Sequence, residues 1–314
     1  MVSQALFRVN KPGLLTTYQD TGRIGYQRFG VPMSGAMDRF ALQVANILVG
    51  NPRDEVCMEV ALIGPQLVVL HPVTIAITGA DLEAKLNGKL IPTWTAFRVE
   101  KGDHITFGRQ HSGVYTYIAV AGGLECPSFF GSKSTDVKSG FGSSLEMDDT
   151  VYGFPIRTNA GIGLTKPAIP TYKKSIQVAV MEGPHTELFT TSEREAFYKN
   201  THTLDANSNR MGYRLRTEHE IWENKSSIWS DAIPFGSIQV PPNGQPIILM
   251  ADRQTTGGYP RIGTIISSDI PHVAQLVPRG KISFYSITIE EAQQRAINME
   301  NFLKNLELFR KFLQ

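Results

Sequence analysis

Short runs of β-branched and aromatic residues, each bounded by glycine or proline, recur along the chain. Leu67–Leu70, Val73–Ile77, Val114–Val120, Ile176–Val180 and Pro246–Met250 are the clearest. Runs of that length and spacing predict short strands and an all-β sandwich or barrel, so the expected fold is mainly β with a few helices. Two stretches switch to helical spacing. Met37, Ala41, Val44 and Leu48 recur along Ser34–Val49, and Gly50-Asn51-Pro52 stops them, which predicts a helix over residues 35–49. The other opens at Thr288 with Glu291 three residues on, a capping box. Ala292, Ala296, Met299, Leu303, Leu306 and Phe309 then share one broad face, for docking on its own domain or for binding a partner.

Between Phe154 and Lys174 the text turns irregular, with Pro155, Gly161, Gly163, Pro167 and Pro170. A boundary is expected there, giving an N-terminal module over 1–160 and a C-terminal module over 161–314 that ends in a helix. Two weak internal echoes keep their order. Gly22-Arg23-Ile24-Gly25-Tyr26-Gln27 parallels Asn209-Arg210-Met211-Gly212-Tyr213-Arg214, and Phe97–Phe107 parallels Leu276–Phe284. Together they suggest a duplicated β module.

Composition narrows the function classes mainly by exclusion. A net charge of +2 at pH 7 over 314 residues provides no field for nucleic acid or a membrane surface. The two cysteines, Cys57 and Cys126, form no Cys-x-x-Cys pair, and no disulfide framework is expected. No signal peptide is read at Met1–Ala5, and no apolar run reaches the ~18 residues a membrane span needs. A reducing cytoplasm is the simplest expected address.

Three polar constellations stand out. The first strand-to-turn region carries Asp20, Arg23 and Gln27, followed by Gly30-Val31-Pro32-Met33-Ser34-Gly35 with Asp38 and Arg39. Ser34 is expected where a helix begins. It is either a simple N-cap or part of an anion site at free backbone amides, with Asp20 and Arg23 forming a turn ion pair or reaching a ligand. The second, Asn207-Ser208-Asn209-Arg210, is either a polar hairpin loop or a turn that presents Arg210. The third follows the apolar run at 246–250: Asp252-Arg253-Gln254-Thr255-Thr256-Gly257-Gly258-Tyr259-Pro260-Arg261. It brings charge, amide, hydroxyls and glycines into one turn. The glycine pair is expected to allow positive φ and close approach to a ligand. Asp252 and Arg253 are either a structural pair, or a proton acceptor or magnesium-holding carboxylate beside an anion-gripping guanidinium. Gln239 is expected near this turn.

Several familiar sites are missing. There is no Gly-x-x-x-x-Gly-Lys-Ser/Thr phosphate loop, no Gly-x-Gly-x-x-Gly after a first strand, and no paired His/Cys motif for zinc. His185, in Gly183-Pro184-His185, is either a satisfied loop histidine or a catalytic one.

The residues also carry a resemblance. Gly13–Arg23, Gly30–Asp38, Glu59-Val60 with Gly64-Pro65, Ala121–Leu124, Ser208–Arg214 and Asp252–Gly263 together resemble the family of the 5-oxoprolinase C subunit, also called the KipI-antagonist family. That family is similar to the second half of the carboxyltransferase region of urea carboxylase, also called allophanate hydrolase subunit 2. The likeness runs from about Val9 to about Phe284 and implies tandem cyclophilin-like β-barrel modules. One departure is Phe141-Gly142-Ser143-Ser144-Leu145, where many relatives carry a glycine pair.

The resemblance implies one component of a multi-subunit 5-oxoprolinase, an ATP-dependent amidohydrolase that opens 5-oxoproline to L-glutamate. Its implied partners are the KipI-like B subunit and the A subunit of 5-oxoprolinase. Its implied cosubstrate is ATP with Mg2+, and its ligand a small amide. Two alternatives stay open. One is a carboxyltransferase half of a urea or amide carboxylase, which would require biotin; this chain has no Met-Lys-Met attachment sequence. The other is a non-catalytic antagonist of a KipI-like kinase inhibitor. Under the first reading, Asp252, Arg253 and Gln254 are the catalytic candidates. Asp20, Arg23, Ser34, Arg210, Thr255, Thr256, Gly257, Gly258, Tyr259 and Arg261 are the candidates for holding substrate, around one cleft, and no metal ligands are assigned.

Overall fold

A computed structural model describes residues 2–217 and 228–313. The chain forms two compact units. The first takes residues 1–23, 34–172 and 301–314, and the second takes residues 24–33 and 173–300.

In the first unit the strands are β1 (Gln4–Lys11), β2 (Leu15–Gln19), β3 (Cys57–Ala61), β4 (Gln66–Val69), β5 (Val73–Asp81), β6 (Lys85–Leu86) and β7 (Lys89–Leu90). They continue with β8 (Ala96–Val99), β9 (His104–Thr106), β10 (Ser112–Val120), β11 (Leu124–Glu125) and β12 (Thr150–Gly153). One sheet runs β11-β12-β1-β4-β9-β6-β7 and the other β2-β3-β10-β5-β8. Leu6, Phe7, Val9, Leu67 and Val69 of one sheet share a single buried core with Met58, Val60, Ile75, Ile77, Ile118 and Val120 of the other. The alternate residues of β5 and β10 face helix α1 (Arg39–Val49): Thr78 Oγ1 donates to Ala41 O at 2.7 Å. Burial on both faces explains why these strands read as unbroken apolar runs.

Helix α1 is shorter than the expected 35–49. Ser34 and Gly35 have φ of +52° and +88°, two left-handed residues that no right-handed helix accommodates. The N-cap is Asp38, whose carboxylate accepts from Ala41 N at 2.9 Å. Gly35 is required for a second reason: a Cβ there would lie 2.9 Å from Gly22 N. The other end follows the sequence, with Gly50 at φ +83° closing the helix.

The second unit is a closed barrel. Its elements are β13 (Ser175–Glu182), α2 (Thr191–Lys199), β14 (His202–Leu204), β15 (Gly212–Arg216), β16 (Asp231–Ala232), β17 (Ser237–Gln239) and β18 (Ile247–Leu249). After them come β19 (Thr256–Gly257), β20 (Arg261–Ile265), α3 (Ile270–Ala274), β21 (Lys281–Ser286) and the start of α4 (Ile289–Phe312), whose residues from 301 onward belong to the first unit. The barrel order is β13-β20-β17-β18-β15-β14-β21, closed by the parallel pair β13–β21. Closure removes free strand edges. Val178, Val180, Ile238, Ile248, Leu215 and Phe284 are among its buried residues. The Phe197 ring of α2 stacks on Phe284 at 4.6 Å. Thr288 and Glu291 form the expected reciprocal cap at the start of α4. The fold is thus mainly β, as the sequence predicts. Both echoed segments, around residues 97–107 and 276–284, make a glycine-containing turn that feeds a strand, β9 in one and β21 in the other. Among the described residues no helix is long and apolar enough to cross a membrane.

The reassigned cap yields a test. Asp38→Ala should cost about 1–2 kcal/mol of unfolding free energy, the usual value of an N-cap. Ser34→Gly, which relieves a left-handed serine, should cost less than Asp38→Ala. Urea unfolding of both variants measures the order, and a larger loss for Ser34→Gly contradicts the assignment.

Candidate functional site

The turn from Ala251 to Pro260 leaves the barrel at β18 and rejoins it at β20. Midway, β19 pairs outside the barrel with β16 to make a two-stranded flap. Ile228 N donates to Gly258 O and Ile233 N to Thr255 O, extending the flap on both sides.

Arg210 and Asp252 anchor this turn. The Arg210 guanidinium grips the Asp252 carboxylate with two donors, Nε at 2.7 Å and Nη2 at 2.9 Å. Asp252 N in turn donates to Arg210 O at 2.9 Å, and Met250 N to Met211 O at 3.0 Å. Both side chains are largely buried. A bidentate, charge-assisted pair at low exposure fixes orientation as well as distance. Arg210 reaches Asp252 because its own turn is closed by the residues that mark it in the sequence. Asn209 Oδ1 accepts from Met211 N at 2.9 Å, and Ser208 Oγ accepts from Arg214 N at 3.0 Å. The hairpin reading and the arginine-presenting reading are therefore both true of that loop.

Arg253 turns into the fold. It is 4% exposed, with Nε on Ile233 O at 2.9 Å and Nη1 on Met250 O at 3.3 Å. Its guanidinium also lies 5.4 Å from the Phe235 ring centroid. Arg261 is buried and ion-paired with Asp231, a flap residue that the sequence did not single out. Asp231 sits in a strand of two residues, too short to leave a periodic signal.

Gln254, Thr256 and Tyr259 are exposed and Thr255 half-buried. Charged groups thus lie beneath the turn and neutral hydrogen-bonding groups on it. Gln239 is where it was expected, its Nε2 donating to Tyr259 O at 3.2 Å. The glycine pair has another cause than the one expected. Neither Gly257 nor Gly258 has a positive φ. A Cβ on Gly257 would lie 2.7 Å from Ile233 Cδ1 and 2.9 Å from Gln239 Nε2. The protein's own side chains fill that space.

His185 borders the same turn, with Nδ1 accepting from Arg261 N at 3.3 Å. Burial, and then the Arg261 charge, hold its pKa below the ordinary value. With Nδ1 as the acceptor, the ring proton of the neutral form sits on Nε2.

Asp20, Arg23 and Ser34 belong to the first unit. Asp20 accepts from Gly22 N at 2.7 Å, Ser132 Oγ at 2.7 Å, Lys133 N at 2.6 Å and Ser134 Oγ at 2.5 Å. Arg23, 0% exposed, donates to Phe129 O at 3.2 Å and to Ser134 O, beneath the Phe141 ring at 4.6 Å. Phe141, the residue that opens the departure from the family pattern, thus supplies the ring against Arg23. Ser34 Oγ, also fully buried, faces Asp136 Oδ2 at 3.4 Å. It stands four residues before the Asp38 cap, so the expected anion site at a helix start is withdrawn. In the same unit Tyr117 OH donates to Glu59 at 2.7 Å and accepts from Asp38 N at 2.8 Å, while Tyr172 OH donates to Asp38 at 2.9 Å. Burial, then the Glu59 charge, raise the Tyr117 pKa well above its ordinary value. Cys57 is a buried core residue, and burial pushes the Cys126 thiol up to about 12, which makes it a poor nucleophile.

The carboxyltransferase domain family, subdomain A and B, matches residues 29–286. The 5-oxoprolinase C subunit of Escherichia coli (strain K12) is 34% identical over 309 residues, covering 96% of this chain and 97% of that protein. The 5-oxoprolinase C subunit of Haemophilus influenzae is 34% identical over 297 residues, covering 92% and 94%. Among solved structures, the K. lactis urea amidolyase superposes with a TM-score of 0.88 at 26% identity. That match covers 98% of this chain but 20% of the longer protein.

Two outcomes follow from the site. Arg210→Met should destabilise the second unit by about 3 kcal/mol, because it leaves a largely buried carboxylate unpaired. Arg210→Met/Asp252→Asn should recover part of that loss in a double-mutant cycle read by urea unfolding. The histidines set a pH slope. His202, buried with Nε2 on Phe197 O at 3.1 Å, is also held below its ordinary pKa by burial. For a depressed histidine the unfolded chain binds more protons, so stability is full above the unfolded value of 6.5 and declines as pH falls from about 7 towards 5. Unfolding midpoints across that range should show the decline, and His202→Gln should flatten it.

Proposed function

The chain belongs to the carboxyltransferase family of subdomains A and B, and from that membership we propose that it serves as the C subunit of a multi-subunit 5-oxoprolinase. The assembled enzyme would open 5-oxoproline to L-glutamate with hydrolysis of ATP in the cytoplasm. The observation that carries this reading is the 34% identity maintained along 97% of the E. coli protein of that kind.

The turn over residues 251–261 suits the role. The lactam group of 5-oxoproline is neutral, with one acceptor and one donor side by side, and the exposed Gln254 presents the complementary pair. Thr256 and Tyr259 add neutral groups around it. Asp252, held by Arg210, is the carboxylate nearest in sequence to Gln254 and the proposed proton acceptor. Arg253 is a positioning residue, since its guanidinium ties the turn to Ile233 and Met250.

Lactam opening at neutral pH needs activation of the amide, which is the work of ATP. In this turn Arg210 is engaged with Asp252, Arg261 with Asp231 and Arg253 with backbone carbonyls. Arginines so engaged are a poor cradle for phosphoryl groups, which supports assigning ATP and its Mg2+ to the A and B subunits. No step through the nucleotide is drawn on this chain.

Reconstitution tests the proposal. Combining the chain with the A and B subunits should give glutamate and ADP from 5-oxoproline, and leaving out any one should abolish turnover. Gln254→Ala should lower kcat/KM by about 100-fold, and Asp252→Asn by at least as much, with the chain still folded. Full turnover without this chain would contradict the proposal.

A second reading is favoured by one observation, the TM-score of 0.88 to a urea amidolyase. In it the chain would be half of a carboxyltransferase fed by a separate biotin carrier. Inhibition by avidin and a requirement for bicarbonate would select it.

A further inference from the structure

Helix α2 is held to the barrel by one side chain. Of its nine residues only Glu193 and Phe197 are buried. The Glu193 carboxylate is consumed in the N-cap, accepting from Thr190 N at 2.6 Å and from Thr190 Oγ1 at 2.8 Å. Docking therefore falls on Phe197, whose ring stacks on Phe284 of β21 at 4.6 Å. The Phe197 carbonyl lies in the last turn of α2, where helix carbonyls lack intrahelical donors. It accepts from His202 Nε2 at 3.1 Å.

His202 stays with the barrel, since it pairs with Ile282 of β21 in the ladder. Its ring is 0% exposed and lies 5.6 Å from the Phe197 ring and 5.3 Å from the Phe284 ring. A carbonyl only accepts, so the neutral ring carries its proton on Nε2. Nδ1 is buried and has no hydrogen-bond partner among the described residues. A second proton would have to go there. It would create a buried N–H without an acceptor and a cation in an apolar slot, and ring faces do not replace a lost hydration shell.

The neighbouring titratable groups offer no relief. On α2, Lys199 pairs with Glu195 at 2.7 Å, Arg194 Nη2 meets Thr191 Oγ1 at 3.5 Å, and Tyr198 packs edge-on against Phe197 at 5.0 Å. On β21, Lys281 is exposed and Tyr285 OH accepts from Arg295 at 2.6 Å. Burial holds the His202 ring below its ordinary pKa although the Phe197 carbonyl pulls the other way, and no charged group contributes.

We propose that His202 makes α2 an acid-released latch: protonation of the ring undocks α2 from β14 and β21 while the barrel ladder stays paired. The sign follows from linkage. The undocked ring regains water and its ordinary value of 6.5, whereas the docked ring titrates lower. Docking is at full strength above that value and weakens by up to about ten-fold for each pH unit below it, until the docked ring itself titrates. The latch does not rest on the proposed reaction.

Hydrogen exchange on the full chain tests it between about pH 7.5 and about pH 5.5, above the ordinary carboxylate range, after correction for the intrinsic rates. The amides of Arg194 and Asn200, bonded to Thr190 O and Ala196 O, should lose about ten-fold protection or more across that range. Those of the paired strands β13 and β21 should keep theirs. His202→Gln, which is neutral throughout, should remove the drop, and so should His202→Phe, whatever its starting protection. His185→Gln, which removes the other depressed histidine, should leave the drop in place. Flat protection of α2 in the parent, a parallel loss in α2, β13 and β21, or a drop that persists in both His202 variants would overturn the latch.

Discussion

The two-pronged contact between Arg210 and Asp252 determines how the barrel presents its long turn. The turn between β18 and β20 lies outside the barrel ladder, and among the described residues β19 pairs with the equally short β16. Such a segment gains order only if something rigid pins its base. Arg210 is that pin, because it is itself fixed by a hairpin whose Asn209 and Ser208 side chains are consumed in closing it. Arg253 and Arg261 add further ties to Ile233, Met250 and Asp231. With the cations held below, Gln254, Thr256 and Tyr259 are left facing outward. A neutral polar surface backed by fixed charge can recognise a neutral amide without collapsing on itself.

The first unit solves a different problem. Its strands β3, β5 and β10 are covered on both faces, yet Glu59, Asp38, Asp20 and Arg23 are buried there. Each carboxylate is supplied with donors: Tyr117 and Met37 N for Glu59, Tyr172 and Ala41 N for Asp38, and two hydroxyls and two amides for Asp20. Arg23 in turn is taken up by the carbonyls of Phe129 and Ser134. Buried carboxylates so satisfied cost little and fix one arrangement of the chain. The region is better understood as a rivet than as a ligand cradle.

Much of this was legible in the sequence, for physical reasons. Apolar runs punctuated by glycine and proline located the strands, because burial on both faces demands uninterrupted hydrophobic positions. Gly50 and the Thr288–Glu291 box located helix ends, because caps have local chemistry. The dense polar text after Met250 located the turn. What the sequence could not supply was direction. Arg253 and Arg23 look alike as free cations until the fold turns both inward onto carbonyls. Asp252 has Arg253 beside it but takes Arg210, from a segment 42 residues earlier. Ser34 looked like a helix start because serine commonly caps, and only the left-handed φ at Ser34 and Gly35 moves the cap to Asp38. Gly257 looked like room for a ligand, but Ile233 and Gln239 occupy that room.

Hydrogen exchange addresses the pinning of the turn most directly. In Arg210→Met, the amides of Asp252, Arg253 and Ile233 should exchange about ten-fold faster or more than in the parent chain, while those of the paired strands β13 and β21 keep their protection. Equal protection of Asp252, Arg253 and Ile233 in both proteins would contradict the claim that one ion pair holds this turn in place.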